Sequence, residues 1–335
     1  MFELQIENQK GEVIHSTRNF TLLSLDRTMT SGSFLVKLGE DAIDISNLYF
    51  TMRGVLYYVQ KGERIKIFTG FYFGLEKFRG FTQILFSSLS SVLEKKDIEN
   101  INFTGNFSEF LTHLDINHIV SNQNNKTVSY KSKNVSILNA IEEVALSSGN
   151  EWIISNDGII NIGEIISKGT TNECSIKSAG NFSLEYQYSA ENFRNSIILI
   201  DTNGNSAVSK NEDSIREIGE FKKIIELDIY MTEEDLQEMA DQVLEQLLIT
   251  ENDIKIKKPI TCEDNFLLKN LGDFININYS DCDISILGKK RIIEKNILLE
   301  NNQHFVQLIL SKETFTQSTV NSSILSRMKR INAML

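Results

Sequence analysis

The chain is poor in proline, in cysteine and in long apolar runs, and each shortage excludes a class of protein. It has one proline and three cysteines in 335 residues. So few cysteines, and an odd number of them, argue against a disulfide framework and for synthesis in a reducing compartment. No stretch approaches the roughly 18 uncharged apolar residues that would span a bilayer. The N-terminus lacks a basic region followed by an apolar core, so we expect neither membrane binding nor a signal peptide.

The chain also has fewer basic residues than acidic ones. The chain has 34 Lys and Arg against 45 Asp and Glu, a net charge of −11. A protein that binds a duplex by neutralising phosphates needs the opposite balance, so stable nucleic-acid binding is not expected. Two short basic runs are either solvated strand faces or docking sites between subunits. They consist of Lys255, Lys257 and Lys258 and of Lys289, Lys290 and Arg291.

Residues able to do chemistry are present but not grouped. His113 and His118 are five positions apart, which places them off a common helical face. No cysteines have metal spacing, and the chain has neither a phosphate-binding glycine loop nor a Gly-x-Ser-x-Gly elbow. Asp281 and Asp283 form either a hard-cation site or a solvated turn, and a glycosidase carboxylate pair is possible in any acid-rich chain. We predict a protein that is not an enzyme, with no catalytic, cofactor-binding or metal-binding residues.

Strand patterns dominate the N-terminal third. Short segments rich in Phe, Tyr, Ile, Val and Thr, punctuated by Gly and Asn, predict a β-barrel-like domain over residues 1–97. Further on, "FSEFLTHL" and "VSILNAIEEVALSSG" predict helices. In "EWIISNDGIINIGEI", Asn156, Asp157 and Gly158 tolerate the positive φ of a hairpin turn. These patterns predict a small α/β domain over residues 98–170.

The remainder returns to strand around one helix. The strand patterns in residues 171–312 predict a second β-barrel-like domain, with an amphipathic helix at 232–249 inserted in it. Thr232 can cap this helix, and three acids follow at the positive end of its dipole. Residues 313–335 predict a C-terminal amphipathic tail. Its apolar positions Ile324, Leu325, Met328 and Ile331 share one helical face, with Arg327, Lys329 and Arg330 around them.

The two β regions contain one pair of similar sequence segments, which we call the internal echo. "GFYFGLEKFRGFTQILFSSL" and "GKKRIIEKNILLENNQHFVQLILS" share a glycine, a strand ending in an aliphatic-Glu-Lys triplet, a polar turn and an alternating strand. The echo is either chance or the mark of two related β domains, one near each end of the chain. The fold class expected is therefore mainly β (α+β), with two related β-barrel-like domains and a small α/β unit between them.

One stretch, "FSLEYQYSAENFRNSIILID", raises the question of a catalytic loop. It reads as a strand, a polar segment and a second strand, with Arg194 and Asn195 at the end of the polar part. No histidine, cysteine or glycine-rich segment accompanies it, and one arginine does not make a catalytic site. We interpret it as the bridge into the second β domain, and Arg194 as a candidate for an ion pair between subunits.

The order of these segments resembles the baseplate hub proteins of contractile phage tails. It is closest to the short PBSX-like hubs of low-GC Gram-positive prophages and tail-derived bacteriocins, which are related to the central hub of myophages. The resemblance rests on "FTGFYFGLEKFRGFTQILFSSLSSVLEKK", then "FSEFLTHL", then the helix and hairpin segments. It continues with "LEYQYSAENFRNSIILID", the helix at 232–249 and "NLGDFININ". It covers residues 1–312, and the tail has no counterpart in the family.

The resemblance implies a structural role in a particle. Three copies, each with two β-barrel-like domains, would form a pseudo-sixfold ring that adapts the sixfold tail tube to the threefold spike. The expected partners are the chain itself as a homotrimer, the tail tube protein, the spike, and baseplate wedge or tape-measure proteins. The expected location is the baseplate of a virion or tail particle assembled in the bacterial cytoplasm. The candidate interface residues are Phe71, Phe73, Phe78, Arg194, Arg327, Lys329 and Arg330, with Tyr72 and Phe81 nearby.

Two other functions are compatible with the sequence. Related hubs carry fused peptidoglycan hydrolase domains, although the hub-like parts already occupy this chain. A receptor-binding surface protein rich in β structure would instead expose aromatic loops. Zymography on cell walls and the size of the protein in solution separate these alternatives from the hub.

Overall fold

The structure is a computed structural model that describes residues 1–39, 52–122, 124–163, 175–177, 182–189, 193–227, 230–248, 251–260, 266–281 and 284–311. Among the residues that the structure describes, strand is far more frequent than helix, which confirms the expected mainly β fold class.

The strands and helices are numbered along the chain. The strands in the first half are β1 Phe2–Glu7, β2 Val13–Thr17, β3 Phe20–Thr28, β4 Gly32–Gly39, β5 Arg53–Gln60, β6 Glu63–Phe78, β7 Phe81–Ser87, β8 Asp97–Gly105, β9 His118–Asn122, β10 Val128–Ser136, β11 Trp152–Ile154 and β12 Ile160–Gly163. Those in the second half are β13 Ser175–Lys177, β14 Ser183–Ser189, β15 Ser196–Ile200, β16 Ser206–Lys210, β17 Lys222–Glu226, β18 Glu251–Pro259, β19 Phe274–Asp281, β20 Ile284–Glu300 and β21 Gln303–Ser311. The helices are α1 Leu89–Glu94, α2 Phe107–His113, α3 Ile137–Ser148, α4 Glu212–Ile218 and α5 Glu233–Leu247.

The chain divides into two compact units, each assembled from separate segments. The first combines Met1–Leu93, Trp152–Glu185 and the described residues from Ile254 onward, and the second combines Glu94–Glu151 and Tyr186–Asp253. The division into domains at residues 97, 170 and 312 stays a prediction, as does the barrel-like character of the two β domains.

The first unit is built on one large sheet. Its strands follow the order β14-β18-β21-β20-β3-β4-β7-β6-β5-β1-β2, with β19 also beside β20 and β13 beside β19. The pairing of β3 with β20 is antiparallel. Strands from the two ends of the chain therefore join in a single sheet, and we call this pairing the β3–β20 seam.

The core of the first unit contains closely packed aromatic rings. Phe34 stacks on Phe86 at 4.8 Å between ring centroids and meets Phe68 edge-on at 5.6 Å. All three side chains are buried. Gly54 makes room for them, because a Cβ atom there would lie 2.5 Å from the Phe86 ring. Offset and edge-on ring pairs of this kind stabilise a core beyond the area that they bury.

Both segments of the internal echo form long hairpins. Strand β6 has 16 residues and β20 has 17, and each pairs with the strand that follows it through a tight turn. Gly80 in the first turn has a φ of 90°, and Asn301 and Asn302 in the second have φ values of 48° and 61°. Glycine and asparagine are the residues that such turns require, so the two similar sequences do form similar local structures.

The second unit contains two small sheets backed by helices. Strands β8 and β10 pair with each other, and β16-β15-β17 form a three-stranded sheet. Helix α2 begins at Phe107, and its N-cap residue Asn106 forms a capping box with Glu109. The predicted helix at 232–249 is present as α5, and Thr232 accepts a hydrogen bond from the backbone N–H of Asp235 at 3.2 Å.

One predicted helix is shorter at its start than expected. Val135 and Ser136 belong to β10 and not to α3, which begins at Ile137. Val135 faces Ile98 across the β8–β10 ladder, so a tertiary pairing overrides a local helical pattern. The turn predicted from Asn156, Asp157 and Gly158 is confirmed, with Gly158 at a φ of 74°.

Candidate assembly surfaces

The predicted aromatic surface lies on the hairpin of β6 and β7. Phe73 is 37% exposed and Phe78 is 42% exposed, whereas Phe71 is half-buried beneath the guanidinium of Arg53 at 5.4 Å. The register between β6 and β7 shifts at Phe73, between Tyr72 and Gly74. A bulge of this kind re-aims a side chain, and here it leaves Phe73 partly in solvent.

The tip of this hairpin holds its aromatic rings in place. Phe78 stacks on Phe81 at 4.7 Å between ring centroids, and the ammonium of Lys37 lies 3.9 Å from the centre of the Phe81 ring. Stacking and cation–π contact fix the orientation of both rings before any partner binds. Exposed, pre-oriented aromatic side chains are typical of the centre of protein interfaces. We call Phe73, Phe78 and Phe81 the aromatic hairpin surface.

A second apolar surface, not predicted from the sequence, crosses the sheet β16-β15-β17. Ile198 pairs directly with Val208 on one side and with Ile224 on the other, so the three side chains form one row on one face. Val208 is 44% exposed and Ile224 is 57% exposed. The opposite face carries the buried Ile197, Leu199 and Ile225, and α5 packs on β15 and β16. We call Val208, Ile198 and Ile224 the aliphatic row.

The aliphatic row belongs to a region unusually rich in exposed apolar side chains. Among the described residues, Ile218, Phe221 and Tyr230 lie in the same part of the chain and are each about half exposed, between 47% and 55%. None of the residues of helix α4, which connects β16 to β17, is buried. Neighbouring exposed apolar residues of this kind are typical of interaction sites.

Asn195 holds this region in place. The side chain is fully buried and its amide donates to the carbonyl of Gly219 at 2.8 Å and to the hydroxyl of Ser214 at 3.2 Å. Its side-chain oxygen accepts from the backbone N–H of Phe221 at 2.6 Å. The backbone of Asn195 bonds to Asn211 and Phe221 as well. One asparagine therefore clamps both ends of the α4 segment to the start of β15.

Arg194, the predicted ion-pair residue, lies next to this clamp. Its backbone N–H donates to the carbonyl of Leu247 at 2.9 Å, which attaches the end of α5 to the start of β15. Its guanidinium donates to the carbonyl of Phe193 at 2.6 Å. Burial, together with the charge of Arg194, lowers the pKa of the Lys223 ammonium. A role for Arg194 in an ion pair between subunits stays a prediction.

The remaining interface candidates cannot be placed on a surface. Arg327, Lys329 and Arg330 lie outside the described residues, as do Asp283 and the whole of the predicted tail. The aromatic hairpin surface and the Arg194 region belong to different compact units.

The candidate metal ligands do not cluster among the described residues, and two of the histidines make hydrogen-bonding contacts within the fold. Within the described ranges, no cluster of three or more His, Cys, Asp or Glu residues could hold a metal ion. His118 lies 2.8 Å from both the Ser108 hydroxyl and the Ile116 carbonyl, which ties α2 to β9. The ring of His304 contacts the carbonyl of Leu22 at 2.9 Å. No helix in the described part of the chain is long and apolar enough to cross a membrane.

Comparison with known proteins finds similarity in structure but not in sequence. Neither a family model nor a curated protein matches the sequence. Solved structures match along almost the whole chain. A tail protein from Neisseria meningitidis superposes with a TM-score of 0.70 at 14% identity, over 95% of this chain and 99% of that chain.

Two prophage proteins extend the comparison. A 43 kDa tail protein of prophage MuSo2 from Shewanella oneidensis has a TM-score of 0.68 at 13% identity, over 92% of this chain and 98% of its own. A prophage tail protein from Listeria monocytogenes has a TM-score of 0.58 at 12% identity, over 99% of both chains. The chain therefore has the fold of phage tail proteins, which confirms the resemblance predicted from the sequence at the level of the fold.

Proposed function

We propose that the protein is the structural hub of a contractile tail baseplate. Three copies form a pseudo-sixfold ring that adapts the sixfold tail tube to the threefold spike. The observation that carries this proposal is the full-length match to tail proteins, which extends over 95% of this chain and 99% of the Neisseria protein. Because the match extends over almost the whole of both chains, the analogy at the level of the fold concerns the entire chain and not one shared module.

The surfaces described above support a role in assembly. The aromatic hairpin surface lies in the first unit and the aliphatic row lies in the second, so each copy has two different apolar surfaces. A ring needs two unlike surfaces on each copy, because a head-to-tail contact joins one patch to a different patch on the next copy. In this proposal Arg194 and the basic residues Arg327, Lys329 and Arg330 contribute charged contacts at the edges of these interfaces.

The partners and location follow from the same proposal. The tail tube protein would bind one side of the ring and the spike the other, with wedge or tape-measure proteins at the periphery. The protein would act in the baseplate of a phage, a defective prophage or a tail-derived bacteriocin, after assembly in the bacterial cytoplasm. Its function would lie in its interfaces and would require no catalytic site.

The mass of the protein in solution tests the proposed ring. Sedimentation equilibrium of the purified chain should give about three times the 38.2 kDa mass of one copy. The double substitution Phe73→Ser and Phe78→Ser should shift the protein toward the monomer, because exposed aromatic anchors contribute much of an interface's energy. The matched control Ile119→Ser, at a residue 53% exposed on β9, should leave the trimer intact. A wild-type chain that stays monomeric at all concentrations contradicts the ring.

Zymography on bacterial cell walls tests the absence of hydrolase activity. The purified protein should leave the embedded walls intact, and a lysozyme lane provides the positive control. A zone of clearing that follows the protein band would identify a tail-associated hydrolase instead of a purely structural hub.

A further inference from the structure

Two buried basic side chains face each other in the β3–β20 seam. Arg27 of β3 is the direct cross-strand partner of Lys295 of β20, and each residue is only 4% exposed. Like charges in directly opposite positions destabilise a sheet. Burial increases the cost, because a charge removed from water needs a counter-charge or a full set of hydrogen bonds.

Arg27 has several acceptors for a charge that a guanidinium keeps even when it is buried. Its guanidinium donates to the carbonyls of Ile67 at 3.2 Å and Ile154 at 2.7 Å, and also to the side-chain oxygen of Asn156. Burial lowers the pKa of Arg27 to about 10, which still leaves the group charged at neutral pH. Arg27 therefore supplies a fixed positive charge at the seam.

Lys295 has fewer acceptors than a charged ammonium needs. Its Nζ donates to the carbonyl of Leu267 and to the carbonyl of Lys269, the latter at 2.8 Å. An ammonium has three N–H donors and a neutral amine has two. Within the described part of the chain, the two carbonyls satisfy a neutral amine completely and leave a charged ammonium with one unused donor.

The charged groups on the surrounding elements do not offset the unfavourable burial of a protonated Lys295. Burial and then the charge of Arg27 lower the pKa of Lys295 to about 7, and only Asp273, before β19, acts in the opposite direction.

The other carboxylates nearby have contacts of their own. Asp26 of β3 accepts from Ser24, and burial raises its pKa. Glu294 of β20 accepts from Asn296, and Asp157, in the turn after β11, pairs with Lys66 of β6. The buried cations nearest along the chain, Lys269 before β19 and Arg291 on β20, add positive and not negative charge.

We propose that Lys295 is a proton-controlled switch of the β3–β20 seam: its amine is neutral in the closed seam, and its protonation loosens the pairing between the N-terminal and C-terminal strands. The seam is the link that unites these strands in one sheet. A single proton would thereby act on the junction between the two ends of the chain, independently of the proposed role as a hub.

The direction of the effect follows from linkage. Between about pH 7 and the usual lysine pKa of 10.5, the open state binds a proton that the closed state lacks. The opening equilibrium therefore increases about tenfold for each unit that the pH is lowered within this window. Below pH 7 both states are protonated and the dependence on Lys295 ends.

Titration of the lysine side chains tests the protonation state directly. The ¹³Cε resonance of Lys295, assigned by its loss in Lys295→Met, should titrate with a midpoint near pH 7. The usual lysine pKa of 10.5 is the reference for an unperturbed side chain. A Lys295 midpoint close to this value would overturn the proposal without requiring any variant to be stable.

Hydrogen exchange of the seam tests its opening. After correction for intrinsic exchange rates, wild-type amides of β3 and β20 should open about ten times more often at pH 7.5 than at pH 8.5. Lys295→Met should abolish this difference, and the matched control Lys255→Met should preserve it. Equal opening of the wild-type seam at both pH values contradicts the switch.

Discussion

At the scale of single residues, the buried side chain of Asn195 has a structural role that the sequence did not reveal. The sequence placed it in a polar segment between two strands, with Arg194 as the residue of interest. The structure instead gives the central role to the buried amide of Asn195, which bonds to three different groups of the α4 segment. Asparagine suits this position because its side chain both donates and accepts.

Replacement of Asn195 measures the strength of the clamp. Asn195→Ala should lower the free energy of unfolding by about 2–4 kcal/mol, because it leaves buried groups of the α4 segment without partners. Urea unfolding followed by circular dichroism provides the measurement. The control Asn203→Ala, at an exposed turn residue, should change stability by less than about 0.5 kcal/mol. Equal losses for the two variants would mean that Asn195 is not a clamp.

At the scale of elements, the sheet β16-β15-β17 has two apolar faces, of which α5 covers one. The five residues of β15, "SIILI", are almost continuously apolar, a pattern typical of a strand covered on both faces. In the structure the other face presents the aliphatic row to solvent. In the proposed hub, a contact between copies would cover the exposed side chains of Val208 and Ile224.

A charge placed in the aliphatic row tests this contact. Ile224→Lys should weaken the proposed trimer at least tenfold, because an unpaired charge would be buried in the interface. The fold should keep its stability within about 0.5 kcal/mol, since Ile224 is exposed in the single chain. Analytical ultracentrifugation across a concentration series measures the first effect and urea unfolding the second.

Val13→Lys provides the matched control. Val13 is 51% exposed on the edge strand β2, so this variant adds the same charge at an equally exposed aliphatic position. An equal loss of assembly in both variants would point to a general effect of charge and would remove the aliphatic row from the interface.

At the scale of the whole molecule, the two ends of the chain meet in one sheet. The seam pairs Glu294 to Leu298 with Ser24 to Thr28. The proton switch at Lys295 lies within this seam. A protein whose ends are joined in this way can keep its β core independent of the residues beyond strand β21.

Deletion of residues 314–335 tests that independence. The truncated chain should unfold at the same urea concentration as the full chain, because strands β1 to β21 remain present. It should fail to assemble with a neighbouring baseplate protein, because the deletion removes Arg327, Lys329 and Arg330. Electron microscopy of particles from cells that carry the truncated gene gives the readout. Intact, contractile particles would refute a docking role for the tail.

Local patterns in the sequence determined the class of fold and several of its elements. Alternating aromatic and aliphatic residues specified the strands, Asn156 to Gly158 specified a turn, and an apolar stripe behind Thr232 specified α5. The order of these elements also sufficed for the resemblance to tail proteins. Such features follow from neighbouring residues and depend little on the rest of the chain.

The tertiary structure alone decided the contacts between distant segments. The facing positions of Arg27 and Lys295, the hydrogen bonds of Asn195 to the α4 segment and the exposure of the aliphatic row have no local signature. Each depends on which strands become neighbours, and strand order is set by packing over the whole sheet rather than by adjacent residues. For the same reason the sequence predicted an aromatic surface on the hairpin of β6 and β7, which stays a prediction, and gave no sign of the aliphatic row. An exposed isoleucine and a buried isoleucine look alike in the sequence, and only the packing of the sheet distinguishes them.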